Sequence, residues 1–145
     1  MSQQTLADLA SKMRGIDIAI LSTKTDSGDI ASRPMSNNGD VDYDGDSYYF
    51  TYEQARTVRD IERDPKVSLA FSGKPGLIGG HTSLYVSVEG KAQLIRDKAA
   101  FKEHWTPDLE VWFENGVDTP GLVLVKVHAE RIKYWDGNED GELLV

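Results

Sequence analysis

Apolar and polar positions alternate along this chain in two rhythms, and the changes of rhythm mark its elements. Leu6, Leu9, Ala10 and Met13 recur at helical spacing. Thr5 with Asp8 three positions on forms a variant capping box, so a short amphipathic helix is predicted, ending near Gly15. From Ile16 to Thr25 the β-branched residues predict a strand, and Asp26-Ser27-Gly28-Asp29 predicts the turn of a hairpin into Ile30 to Ser36. Asn37-Asn38-Gly39 and Asp44-Gly45 are further turn signals before a strand from Ser47 to Thr51. Between Gln54 and Asp64, Ala55, Val58 and Ile61 share one helical face while Arg56, Arg59 and Arg63 share another that faces solvent, and Pro65 stops the helix.

The second half repeats this grammar. Lys66 to Ser72 reads as a strand, Gly73 to Gly80 as a loop, and Thr82 to Ile95 as a long alternating strand in which Gly90 predicts a bulge or the close approach of another backbone. Asp97 caps a helix carrying Ala100, Phe101, His104 and Trp105, and Pro107 begins a second short helical piece through Phe113, ended by Asn115-Gly116. Leu122 to Glu130 alternates with its valines inward, and Ile132 to Trp135 either continues that strand or pairs with it. Seven strands joined mostly by hairpin-length turns predict a mainly β (α+β) fold, an antiparallel barrel with helices outside, in a single domain over residues 1–145.

Composition narrows the function classes. The 39% hydrophobic and 28% charged content belongs to an ordered globular chain. A formal net charge of -8 repels phosphate backbones, so nucleic acid is not an expected partner. The absence of cysteine excludes disulfides, thiolate metal sites and cysteine nucleophiles. No apolar run reaches membrane-spanning length, and MSQQTLADLA lacks the basic-then-apolar order of a signal peptide, so a cytoplasmic location is expected.

The chemistry-bearing stretch is IASRPM together with YYFTYEQARTVRDIERDP. Arg33 sits inside a strand just before Pro34, which cannot donate to a central ladder. The strand Tyr48 to Thr51 turns directly into a helix whose start carries Gln54, Arg56 and Thr57. A helix N-terminus presents unpaired N–H groups and partial positive charge, so helix start and strand arginine together predict a cradle for a phosphorylated small molecule. On the residues alone, Arg33 is either that clamp or an edge-strand arginine paired with a carboxylate.

The ordered set SRPM, YYFT, IERDP, KVSLAF, LYVSVEGKAQLIRD, VWFENG and KYWDG resembles the pyridoxamine 5'-phosphate oxidase-like FMN-binding split barrels, and within them the short bacterial general stress proteins. The likeness runs from about Leu6 to Gly137. It implies an FMN-binding split β-barrel, a homodimer sharing its flavin sites, and either a flavin-dependent oxidoreductase or a non-catalytic flavin-binding module with a stress role. It also implies cofactor contacts from Arg33, Pro34 and Met35, from Phe50 and Thr51 against the flavin ring and ribityl chain, from Arg56 and Thr57 at the phosphate, and from Trp112 near the flavin across the dimer interface. Trp112 and Phe113 fit plain core packing equally well, and a strand aromatic such as Phe50 is ordinarily core. Thr57 stands where many relatives carry lysine, which removes a charge-assisted hydrogen bond of about 1.5 to 3 kcal/mol unless Arg56 or Arg59 replaces it. A related ligand, a deazaflavin or haem, is the third reading. The tail GNEDGELLV lacks the arginine-rich substrate segment of true pyridoxamine phosphate oxidases.

Other motifs read as structure. Asp40, Asp42, Asp44, Gly45 and Asp46 open like a calcium loop, but position twelve is Thr51 rather than glutamate; Asp136, Asn138, Asp140 and Gly141 begin similarly, and both read as acidic turns. Gly73 to Gly80 lacks the Gly-Lys-Ser/Thr ending of a phosphate loop. His81, His104 and His128 have no metal-ligand spacing, and no GxSxG elbow is present.

Overall fold

A computed structural model of the chain describes residues 4–37, 43–73 and 84–145. Seven strands among them form one antiparallel sheet: β1 (Ile18–Lys24), β2 (Ile30–Ser36), β3 (Asp46–Tyr52), β4 (Lys66–Ser72), β5 (Leu84–Ile95), β6 (Leu122–Asp136) and β7 (Glu139–Leu144). The order across the sheet is β2-β1-β4-β5-β6-β3, and β7 also pairs with β6. The long β6 makes this possible. Its first half pairs with β3 from Leu122 to His128, its second half with β7 from Arg131 to Asp136, and its other edge with β5.

The outer strands β2 and β3 exchange no ladder, so the sheet curls without closing. The expected barrel is therefore a split one. What joins its two lips is a shared interior: Met35 of β2 and Tyr49 of β3 lie in one buried cluster with Leu21, Leu69, Phe71, Val86, Val88 and Ile132. The Tyr49 hydroxyl also reaches Asn37 Oδ1 at 3.4 Å. Each of those fully buried aliphatic or aromatic side chains is worth about 1.5 to 3 kcal/mol over its exposed state. A smaller second cluster of Phe50, Phe101, Leu109, Phe113, Leu122 and Leu124 fills the other face of β3 and β6. It is roofed by α3 (Lys98–His104) and a 3-10 turn over Pro107–Val111.

The helices sit where their caps begin them. The capping box of α1 (Leu6–Met13) is complete: Asp8 N–H donates to Thr5 Oγ1 at 3.1 Å, and Thr5 N–H donates to Asp8 Oδ2 at 2.9 Å. Leu9 and Met13 enter the main core. Lys12 and Gln4 both reach Asp136 Oδ2, at 2.6 and 2.8 Å, and these hydrogen bonds hold the carboxyl below its ordinary pKa. Among the described residues no helix is long and apolar enough to cross a membrane.

The element sequence differs from expectation at the C-terminus. Residues 122 to 136 form one strand, so Ile132 to Trp135 continues Leu122 to Glu130; the alternation slips by one residue at Glu130/Arg131, opposite the Glu89/Gly90 register shift, and resumes with Ile132 and Tyr134 inward. The seventh strand is instead β7, in the tail after Trp135, where no strand is expected. Asp136 to Glu139 is its hairpin turn, with Gly137 at φ +66°, a conformation open to glycine at little cost. That turn replaces the calcium-loop likeness there. Both readings of Gly90 hold: the β5–β6 register shifts at Glu89/Gly90, and a Cβ on Gly90 would collide with the His128 carbonyl oxygen. The Gly73 to Gly80 loop beyond Gly73, Asp40, Asp42 and His81 lie outside the described residues.

Candidate functional site

β3 ends at Tyr52, and the chain turns straight into α2 (Arg56–Arg63). The N-cap of this helix is Ala55, which has no side-chain oxygen, and no side chain caps the first turn. The N–H groups of Arg56 and Thr57 thus have no side-chain cap, whereas Val58 N–H already donates to the Ala55 carbonyl at 3.1 Å.

One turn into α2, Asp60 is 1% exposed. A carboxylate that deep needs hydrogen bonds and counter-charge. Thr23 Oγ1 on β1 donates to Asp60 Oδ2 at 2.8 Å. Arg33 Nη1 on β2 donates to Thr23 Oγ1 at 2.8 Å and to the Leu21 carbonyl at 3.3 Å, and its Nη2 lies 3.8 Å from Asp60 Oδ2. Arg56 Nε is 3.9 Å from the same oxygen, and Arg63 Nη1 is 3.5 Å from Oδ1. Three guanidinium groups therefore surround a single carboxylate, and positive charge is in excess. Burial lowers the pKa of Arg33, Asp60 raises it and Arg56 lowers it again, which reflects how closely the two arginines crowd.

Of the two sequence readings of Arg33, the structure shows the pairing with a carboxylate. Its side chain reaches α2, and what it meets there is a carboxylate of that helix. Arg56 belongs to the same cluster, so the arginine face of α2 is only partly solvated. Arg59 does not join it; Nη1 donates to the Gln54 carbonyl at 3.1 Å. Thr57 is buried at the second position of α2, with 6% exposure.

The remaining predicted contacts are spread around this centre. Pro34 is exposed on the edge strand β2 opposite Ile20, and Met35 is in the main core. Strand alternation sends Phe50 and Thr51 to opposite faces. Thr51 shares the Tyr49 face, whereas Phe50 packs in the second cluster with ring centroids 5.0 Å from Trp105 and 5.9 Å from Phe101. Trp112 and Phe113 part company as well. Phe113 is core, while Trp112 is 66% exposed and accepts a 3.2 Å hydrogen bond from the Tyr52 hydroxyl on its carbonyl. That bond ties Trp112 to the end of β3 from which α2 departs. Sequence reasoning missed Thr23, Asp60 and Arg63. The signal within reach was Asp60 between Arg56 and Arg63 at helical spacing.

Residues 4–145 match the family model described as pyridoxamine 5'-phosphate oxidase like. Protein bli-3 of Neurospora crassa is 22% identical over 140 residues, which is 90% of this chain and 64% of that protein, so the chain spans less than two thirds of this relative. A general stress FMN/FAD binding protein from Xanthomonas citri superposes with a TM-score of 0.73 at 23% identity, over 97% of this chain and 92% of that one. A heme binding protein from Mycobacterium smegmatis does so with a TM-score of 0.76 at 16% identity, over 99% of this chain and 60% of that one. At such identities the likeness shows a common fold.

Proposed function

This chain belongs to the pyridoxamine 5'-phosphate oxidase-like family, and from that premise we propose that the arginine cluster at α2 receives the phosphate of FMN. One observation carries the reading: three arginines share one buried carboxylate beside a helix start that has no side-chain cap. A doubly charged phosphate supplies the missing negative charge, and the open N–H groups supply donors. In this reading Thr51, at the end of β3, and Trp112, tied to that end through Tyr52, border the rest of the cofactor, with Pro34 and Met35 along β2. Phe50 contributes by holding β3 against the second core. When bound, FMN supplies hydride transfer; the protein's part is to anchor and orient it.

The fuller reading is an oxidoreductase of the general stress type acting on a small molecule, and a flavin-binding module without turnover is the other. Consumption of NADH or NADPH by FMN-loaded protein with a simple electron acceptor separates them. Haem has less support among the described residues, where His104 stacks on Tyr48 and His128 bonds to Asp46, both away from the cluster.

The test of the binding reading is a pair of titrations. Arg33→Ala should weaken FMN by about ten- to a hundredfold, the worth of one charge-assisted hydrogen bond, and leave riboflavin nearly unchanged. Equal losses for both ligands would remove Arg33 from the phosphate site. A protein that takes up neither flavin would end the proposal.

We further propose a homodimer. The outer face of β1, β2, β4 and β5 lacks a covering element among the described residues: Ile18 is 49%, Ile20 38% and Tyr85 51% exposed. Ile20 stands between Pro34 and Ala70, and Tyr85 pairs across with the 41% exposed Trp135. A contiguous apolar sheet face of this kind suits a second copy.

A further inference from the structure

A cavity of about 400 Å³ opens at the other end of β3, between the start of that strand and the C-terminal end of α3. Asp46 and Tyr52 are six residues apart, so about 20 Å of strand separates it from the start of α2. Arg33, Arg56, Thr57 and Asp60 form no part of its wall.

The wall combines two chemistries. Tyr43, Tyr48, Phe71 and Trp105 give it aromatic surface, and Asp44, Asp46 and Glu103 give it negative charge. These carboxylates are not equivalent. Asp46 already has partners: it shares a hydrogen bond with His128 Nδ1 at 2.7 Å, and Lys126 Nζ lies 3.9 Å away. Asp44 is held by its own turn, accepting from Asp46 N–H at 3.0 Å, and neither it nor Glu103 is ion-paired among the described residues. Tyr48 already faces one cation, with Lys126 Nζ 5.9 Å from its ring centre, and the His104 ring is stacked on it at 3.6 Å. The Tyr43 hydroxyl is shielded from solvent without a hydrogen-bond partner, an unused donor beside the cavity. Its ionisation is pushed up by burial first and then by Tyr49, Asp46 and Asp44, so it stays protonated.

We propose that this cavity is a second ligand site, for a small organic cation carrying an aromatic ring or a quaternary nitrogen. Aromatic faces attract such a cation through their quadrupoles, and the two uncompensated carboxylates supply the counter-charge that a desolvated cation requires. The volume falls within the range of small-molecule pockets, roughly 300 to 1,000 Å³. An anion would meet repulsion, so the site does not compete for the ligand of the arginine cluster. It stands independently of the flavin reading.

The probe is benzyltrimethylammonium, compared with benzoate, which has the same ring and the opposite charge, and with neutral benzyl alcohol. Calorimetric titration of the full chain, with the fluorescence of Trp105 as a second readout, should show the cation binding at least about tenfold more tightly than benzoate, equivalent to one cation–π contact plus one partly desolvated charge pair. The double variant Asp44→Asn, Glu103→Gln keeps both shapes and removes both charges. It should lose about tenfold or more for the cation and nothing for benzyl alcohol. Circular dichroism and the melting temperature establish that the variant is folded, and if it is not, Glu103→Gln alone, on the surface of α3, carries the same comparison. Equal binding of cation and benzoate, an unaltered affinity in the variants, or no saturable binding of the cation would overturn the proposal.

Discussion

Asp60 is the residue on which the arginine cluster turns. It is buried, it accepts from Thr23, and three arginines converge on it. Breaking a buried ion pair by removing one partner costs about 3 to 5 kcal/mol. Asp60→Asn should fall at the low end, about 3 kcal/mol, because Arg33 keeps Thr23 and the Leu21 carbonyl as acceptors while Arg56 and Arg63 are free to return to water. A urea-unfolding midpoint unchanged from the parent chain would show that the cluster contributes nothing to the fold. Two of the three arginines differ in shielding, with side-chain exposures of 20% for Arg33 and 58% for Arg56. A charge in water is screened and a shielded one is not. Arg56→Ala should therefore reduce FMN affinity less than Arg33→Ala does in the same titration. Thr57 behaves otherwise than its helix-start position suggested. It is buried, and it carries no charge where a lysine would bring one.

At the scale of the element, α2 begins on an alanine. Ser, Thr, Asp and Asn at an N-cap are each worth about 1 kcal/mol over alanine, and Ala55 has the extended backbone, φ -66° and ψ 142°, that such a cap uses. Stability has been left unclaimed at this helix start, as it often is where a ligand binds. Ala55→Asp should raise the melting temperature and, by placing a carboxylate where a phosphate belongs, weaken FMN far more than riboflavin. A variant that gains stability and binds FMN as before would place the phosphate elsewhere. The neighbouring elements were legible in advance for local reasons. The Thr5 and Asp8 box began α1, Pro65 ended α2, and alternation marked β1 to β5 nearly to the residue. β7 was not legible. Its burial pattern keeps it half in solvent along its whole length, so no apolar rhythm marked it, and only pairing with β6 makes it a strand.

For the whole molecule, the split between β2 and β3 brings an edge strand, a helix start and the exposed Trp112 around one end of the barrel. The apolar face formed by Ile18, Ile20, Tyr85 and Trp135 is large for a surface that stays in water. Ile20→Lys should convert a species of twice 16.1 kDa into one of 16.1 kDa in sedimentation or light scattering. If the parent chain is already a monomer at micromolar concentration, that face serves something else.

By itself the amino-acid order determined the helices, most strands, the mainly β class and the stretch that holds the candidate site, since caps, turns and alternation are local properties of a chain. Only the tertiary structure decided which lips of the sheet remain open, that Asp60 is the carboxylate Arg33 meets, and that the strand carrying Phe50 and Thr51 has a core on both sides. The reason is that partners such as Thr23, Arg33 and Asp60 come from three elements, and the register that unites them is set by side chains distant in the chain competing for one interior. Local propensity carries no record of that competition.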